Sequence, residues 1–116
     1  MRFLSIYKSV ERSTPPTPKE MEKMGKLVEE GMKAGTLLAT EGCMPSAKGA
    51  RVRLSNKKVK VTDGPFTESK EVIGGFAVLQ AKSKEEAIEL VKEFLAVVGD
   101  GECELRQLYD GDPRAA

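Results

Sequence analysis

Nine consecutive residues, Asp63-Gly64-Pro65-Phe66-Thr67-Glu68-Ser69-Lys70-Glu71, gather four ionisable side chains around a Gly-Pro turn. An aspartate heading such a turn can accept hydrogen bonds from backbone N–H groups further along, Gly64 can take a positive φ, and Pro65 fixes the residue that follows. On that reading the turn is purely structural. On the other, it sets Asp63 at the mouth of a pocket between sheet and helix, with Phe66 as an apolar wall and Lys70 or Glu71 as charge partners. A partly buried carboxylate in that position could serve as a general acid or base. Tyr7 and Phe76 are the further aromatic side chains expected to shape the cavity. Glu68, Lys70 and Glu71 taken by themselves read as solvated loop charges.

The chemistry that is missing narrows the field. The chain has no histidine, which removes the usual general base near neutral pH, the Ser-His and Cys-His nucleophile pairs and the His-rich metal sites. It has no phosphate-binding Gly-x4-Gly-Lys loop. Gly74-Gly75 lies inside an apolar run, where a close backbone approach or a bulge is the expected use. The acids are dispersed, so neither a metal site nor a cofactor is expected. Cys43 and Cys103 stand far apart without a CxxC spacing, which suits reduced thiols buried as small apolar residues. Glu41, Arg53 and Glu104 fall on predicted strands. They face water unless they point into a space between two protomers, where as buried charges they need partners.

These residues must be positioned by a small domain. A chain of 116 residues fits one domain, expected over 1–110 with 111–116 as a tail. Nineteen basic against eighteen acidic residues give a net charge of +1, so no global field favours nucleic acid or an anionic membrane. No apolar run reaches the roughly 18 residues that span a bilayer, and Met1 to Lys8 has no secretory pattern, so a cytoplasmic location is expected.

Hydrophobic period supplies the elements. Phe3 to Tyr7 alternates as a strand. Thr17-Pro18-Lys19-Glu20 reads as a capping box, opening a helix whose stripe is Met21, Met24, Leu27, Val28 and Met32 and which Gly35 ends. That stripe is expected to pack on a sheet. Thr36 to Glu41 is a second strand, and Arg51 to Leu54 with Lys58 to Thr62 forms a hairpin with alternating charged and apolar residues. The hairpin charges are expected to be solvated, with an anion grip as the alternative. Val72 to Ala81 is nearly continuously apolar, as a strand buried on both faces would be. Ser83-Lys84-Glu85-Glu86 caps a second helix carrying Ala87, Leu90, Val91, Phe94 and Val98, and Glu102 to Tyr109 is the last strand. The order predicts an α+β, ferredoxin-like βαββαβ domain with an inserted hairpin. One helical layer covers only one face of its sheet, so a second copy is expected to cover the other, giving a homodimer.

The run Thr62 to Glu71, followed by Gly74-Gly75-Phe76 and preceded by Glu41-Gly42 and Lys48-Gly49-Ala50-Arg51-Val52-Arg53, resembles the signature of the YCII-related family in its DGPF branch. The resemblance spans nearly the whole chain. It implies a dimeric α+β barrel in which two ferredoxin-like sheets face each other. Members of the wider family are similar in fold to small-molecule enzymes such as muconolactone isomerase, and some carry a His-Asp pair proposed as an active site. Asp63 matches the acidic member, but this sequence has no histidine, so a His-dependent mechanism does not carry over. DGPF proteins also occur beside extracytoplasmic-function sigma factors.

Three readings of function follow. The chain binds, and could transform, a small molecule in a pocket near the Asp63 turn. Alternatively it is a regulatory partner protein associated with such a sigma factor, which calls for an exposed apolar patch beyond the dimer face. In the third reading it is a structural dimer with no ligand.

Overall fold

The structure, a computed structural model, describes residues 1–12 and 14–110. The expected tail, 111–116, lies outside the described residues. Among the described residues nine elements follow one another: β1 (Arg2–Ser9), α1 (Pro18–Ala34), β2 (Leu37–Gly42), a 3-10 turn (Ser46–Lys48), β3 (Ala50–Ser55), β4 (Lys58–Asp63), β5 (Val72–Gln80), α2 (Lys84–Val98) and β6 (Glu102–Gln107). The 3-10 turn, inside what reads as a plain loop, is the element the sequence did not announce.

Local signals explain the helix limits. The Thr17 hydroxyl accepts from the Glu20 N–H at 3.2 Å with Pro18 in the first turn, and the Ser83 hydroxyl accepts from the Glu86 N–H at 3.1 Å. α1 ends where Gly35 turns left-handed at φ 77°. The hairpin turns through Asn56 and Lys57, both at positive φ, which matches the right-handed twist of its strands.

Four strands form one antiparallel sheet in the order β2-β5-β1-β6, and β3 and β4 form a separate two-stranded sheet. With both helices joined as β1-α1-β2 and β5-α2-β6, this is the ferredoxin-like α+β arrangement with a hairpin inserted between β2 and β5. Two irregularities set the register. β5 carries an extra residue at Gly74, between the pairs Tyr7↔Gly75 and Lys8↔Ile73. β2 carries one at Leu38, between Leu37↔Leu79 and Ala39↔Val78.

The core sits where a row of large residues crosses the sheet under α2. Leu37, Leu79 and Phe3 are cross-strand neighbours on the helix side, and Phe3, Leu79, Ala81 and Ala87 are the buried apolar set. The opposite face of the sheet is open. Leu4, Ile6 and Val78 there are only half-buried, and Ile73 and Phe76 are 54% and 38% exposed. β5 is thus covered on one face by its own chain, not on two. The methionine stripe of α1 also departs from the expected core: α1 buries no residue fully, and Met21 and Met32 are exposed.

Candidate functional site

The reason α1 buries so little is the floor beneath it. Moving along the sheet from the Leu37-Leu79-Phe3 row, the next helix-facing row is Thr40, Ala77, Ser5 and Leu105, and the one after it is Gly42, Gly75, Tyr7 and Cys103. Most of these side chains are small. Helices held off the sheet by the large row therefore leave a space over the small ones, and a chamber of about 530 Å³ lies there. Met24, Leu27 and Val28 of α1 and Leu90, Val91 and Phe94 of α2 form its roof.

The chamber's lining is mostly apolar, with Glu30, Glu41 and Glu93 as its charged residues. The Thr40 hydroxyl donates to the Phe76 carbonyl at 2.9 Å, and the Tyr7 hydroxyl donates to the Asp100 carbonyl at 2.8 Å. The Tyr7 ring meets Phe94 edge-on, with centroids 5.3 Å apart and planes at 84°, which locks the wall of the chamber. Cys103, behind Tyr7, is half-buried, and burial pushes its thiol pKa up. A mainly apolar body fits this interior.

A second cavity of about 770 Å³ adjoins the first, sharing Tyr7, Met24, Gly74 and Val98. Its lining is more varied, with Glu11, Arg12, Glu20, Cys43 and Met44 among the residues. Arg12 and Glu20 form an ion pair at 2.8 Å. Arg12's hydrogen bond holds the Glu20 carboxyl below its ordinary range, and the guanidinium is raised in turn. Cys43 is exposed rather than buried, because it lies just past the end of β2, where no helix covers it.

The residues singled out by sequence fall into two groups. Tyr7 lines the chamber from a helix-facing row, while Glu41 and Phe76 only border it, since as cross-strand partners their alternation directs their side chains to the open sheet face. Asp63, Phe66, Lys70 and Glu71 line neither cavity. Asp63 is the exposed last residue of β4, paired with Ala50, and Lys70 and Glu71 are exposed. Arg53 is exposed on β3, and Glu104 pairs with Lys8 at 3.1 Å on the open face.

The Asp63–Phe66 turn docks onto the loop that holds the 3-10 turn. Gly64 N–H donates to the Gly49 carbonyl at 3.0 Å, and Phe66 N–H donates to the Ser46 hydroxyl at 3.2 Å. Ser46 is held in turn by Glu11, whose carboxylate accepts from the Ser46 N–H at 3.0 Å and from its hydroxyl at 3.1 Å. A Cβ at Gly64 would run into the Ser46 carbonyl, so this close approach requires glycine. The Arg51 guanidinium lies 3.8 Å over the Phe66 ring while pairing with Glu68 at 2.6 Å and donating to the Ser69 hydroxyl at 3.1 Å. Glu11 and Pro45 also line the outer cavity, so the turn braces one of its walls from behind.

Sequence reading missed Glu11, Ser46 and Arg51, which sit in other segments from the turn they hold. It also missed Ala77 and Ser5, whose only signal is small size on strands. Among the described residues, no group of three or more His, Cys, Asp or Glu could hold a metal ion, and no helix is long and apolar enough to cross a membrane. The family model for the YCII-related domain matches residues 1–115. No curated protein matches the chain.

Proposed function

The chain belongs to the YCII-related domain family, and from that premise we propose that it is a cytoplasmic homodimer of the DGPF branch that binds a small, mainly apolar molecule between helices and sheet. The observation that carries this reading is the chamber itself. Its volume of about 530 Å³ falls within the ~300–1,000 Å³ usual for small-molecule sites, and its floor is made by a row of small residues in a sheet that elsewhere carries large ones. The adjoining cavity supplies a polar end, with Arg12, Glu20 and Glu11 near the mouth. An amphipathic ligand, apolar in the chamber and polar outside it, suits the pair.

The Asp63 turn serves this site by bracing the outer wall through Ser46 and Glu11. The open sheet face, with Leu4, Ile6, Val78, Phe76 and Ile73 uncovered, supports the homodimer.

A thermal-shift screen against amphipathic small molecules tests the binding reading, with Ala77→Leu and Asp63→Asn run alongside. A ligand at a hundredfold excess over Kd stabilises the folded state by roughly 2.7 kcal/mol. The expected result is a compound that stabilises the wild type and Asp63→Asn but not Ala77→Leu. Compounds that stabilise all three equally, or none that stabilises the wild type, would overturn the assignment of the chamber.

A further inference from the structure

The chamber and the outer cavity meet at a neck whose walls, Tyr7, Met24, Gly74 and Val98, line both. Tyr7 is the fixed wall. Its hydroxyl donates to the Asp100 carbonyl at 2.8 Å, its ring meets Phe94 edge-on, and the Gly101 backbone lies so close that a Cβ there would strike Cε1. The other edge of the ring faces Gly74. A Cβ at Gly74 would stand 3.3 Å from Tyr7 Cδ2 and 3.6 Å from Cε2, so the side chain that this position lacks would project into the neck.

Gly74 is not demanded by the backbone. Its φ lies outside the left-handed region, unlike those of Gly35, Gly99 and Gly101. It is the extra residue of the β5 bulge, and the Cys43 N–H pins it by donating to its carbonyl at 2.9 Å. Bulges re-aim the position they insert, and here the re-aimed position carries no side chain. On the helix side of the neck stands Met24 of α1, half-buried, whose unbranched thioether can change rotamer as a ligand passes.

We propose that the chamber and the outer cavity are one elongated site joined over Gly74, and that its ligand is an unbranched apolar chain with a polar head. The proposal rests on the small-molecule reading above and gives that molecule a shape. Length is the first support. Strand β5 runs beneath both cavities from Val72 to Leu79, about 23 Å at roughly 3.3 Å per residue. The distribution of polar groups is the second. Leu79, Leu90 and Val91 line the chamber, whereas Glu11 and the Arg12–Glu20 ion pair line the outer cavity. A body compact enough for the chamber alone leaves that outer polar set unused, and a chain passing the narrow neck reaches both. Gly74 and Met24 then set the length of chain that the site accepts.

Isothermal titration calorimetry with terminal vicinal diols, from hexyl to dodecyl and below their aggregation limits, tests the neck. The wild type is compared with Gly74→Val, which fills the neck from the sheet, and with Met24→Trp, which fills it from α1 and decides the matter should Gly74→Val not fold. Wild-type affinity should rise about fourfold with each added methylene across the series, while in both variants the rise should level off, so that the dodecyl diol binds them at least tenfold more weakly than the wild type. Two results would overturn the neck: a wild-type series that levels off before the decyl diol, or variants that follow the wild type to the dodecyl diol. In either case Ala77→Leu still reports on the chamber, whose assignment stands if that substitution abolishes binding. If no diol binds the wild type, or if Ala77→Leu leaves the whole series unchanged, the chamber assignment falls and the neck falls with it.

Discussion

Replacing Ala77 with leucine should make the protein more stable and abolish ligand binding together. Ala77 is half-buried on the chamber floor, opposite the buried Ser5 and beside Thr40. Leucine adds three carbons, each worth about 0.8 kcal/mol when it leaves water. The rotamer freedom lost by a buried leucine removes about 0.5–1 kcal/mol of that. A net gain of about 1.5 kcal/mol remains if the space above the floor is free. For a domain of this size the melting temperature should rise by roughly 5–8 °C. The internal comparison is Ala87→Leu, at a position with 0% exposure inside the packed core. There the same three carbons have no room, and overpacking should cost about 1–3 kcal/mol. Urea denaturation followed by circular dichroism, at one fixed protein concentration, measures both. Opposite signs at the two alanines are expected. A loss at Ala77 as large as that at Ala87 would show that the floor has no spare volume, and the ligand-binding assignment would go with it.

The Asp63 turn offers a second contrast. Gly64→Ala should destabilise by about 2–3 kcal/mol, because the turn must lift off Ser46 and lose the bonds to Gly49 and Ser46, whereas exposed Asp63→Asn should change stability by less than about 0.5 kcal/mol; equal effects in urea melts would refute a role carried by close approach. Glu104 predicts an acid response. Hydrogen bonds from Lys8 and Arg106 hold its carboxyl below the ordinary value of 4.5, so its folded pKa lies under the unfolded one. Its contribution is then complete above about pH 4.5 and is lost as pH falls through the folded value. Glu104→Gln should flatten the stability-pH curve below 4.5, and superimposable curves would count against it. The two thiols should separate in alkylation: exposed Cys43 should react with iodoacetamide at neutral pH well before Cys103, whose pKa burial raises. Mass spectrometry of the first product decides, and labelling at Cys103 first would contradict the burial described.

What the sequence made legible, and what it did not, divides along a physical line. Helix limits were readable because caps are local: Thr17, Ser83 and Gly35 act within one turn of where they stand. The order of elements along the chain followed from hydrophobic period, with alternation marking strands and three- and four-residue spacing marking helices. The chamber was not readable, since it exists only through the register that puts Ala77 beside Ser5 and Thr40, and that register depends on single extra residues at Gly74 and Leu38. The Asp63 turn was found at once, but its holders Ser46 and Glu11 lie 17 or more positions away. Charge crowded into a turn attracts functional interpretation because a sequence displays charge directly. An apolar cavity is made by side-chain volume that is missing, and missing volume shows only after neighbouring strands have been aligned. Small residues recurring on the buried face of adjacent strands are therefore the signal to look for in such chains. Here, Ser5, Thr40, Gly42, Gly75 and Ala77 mark where the chamber lies, which the four ionisable groups of the turn do not.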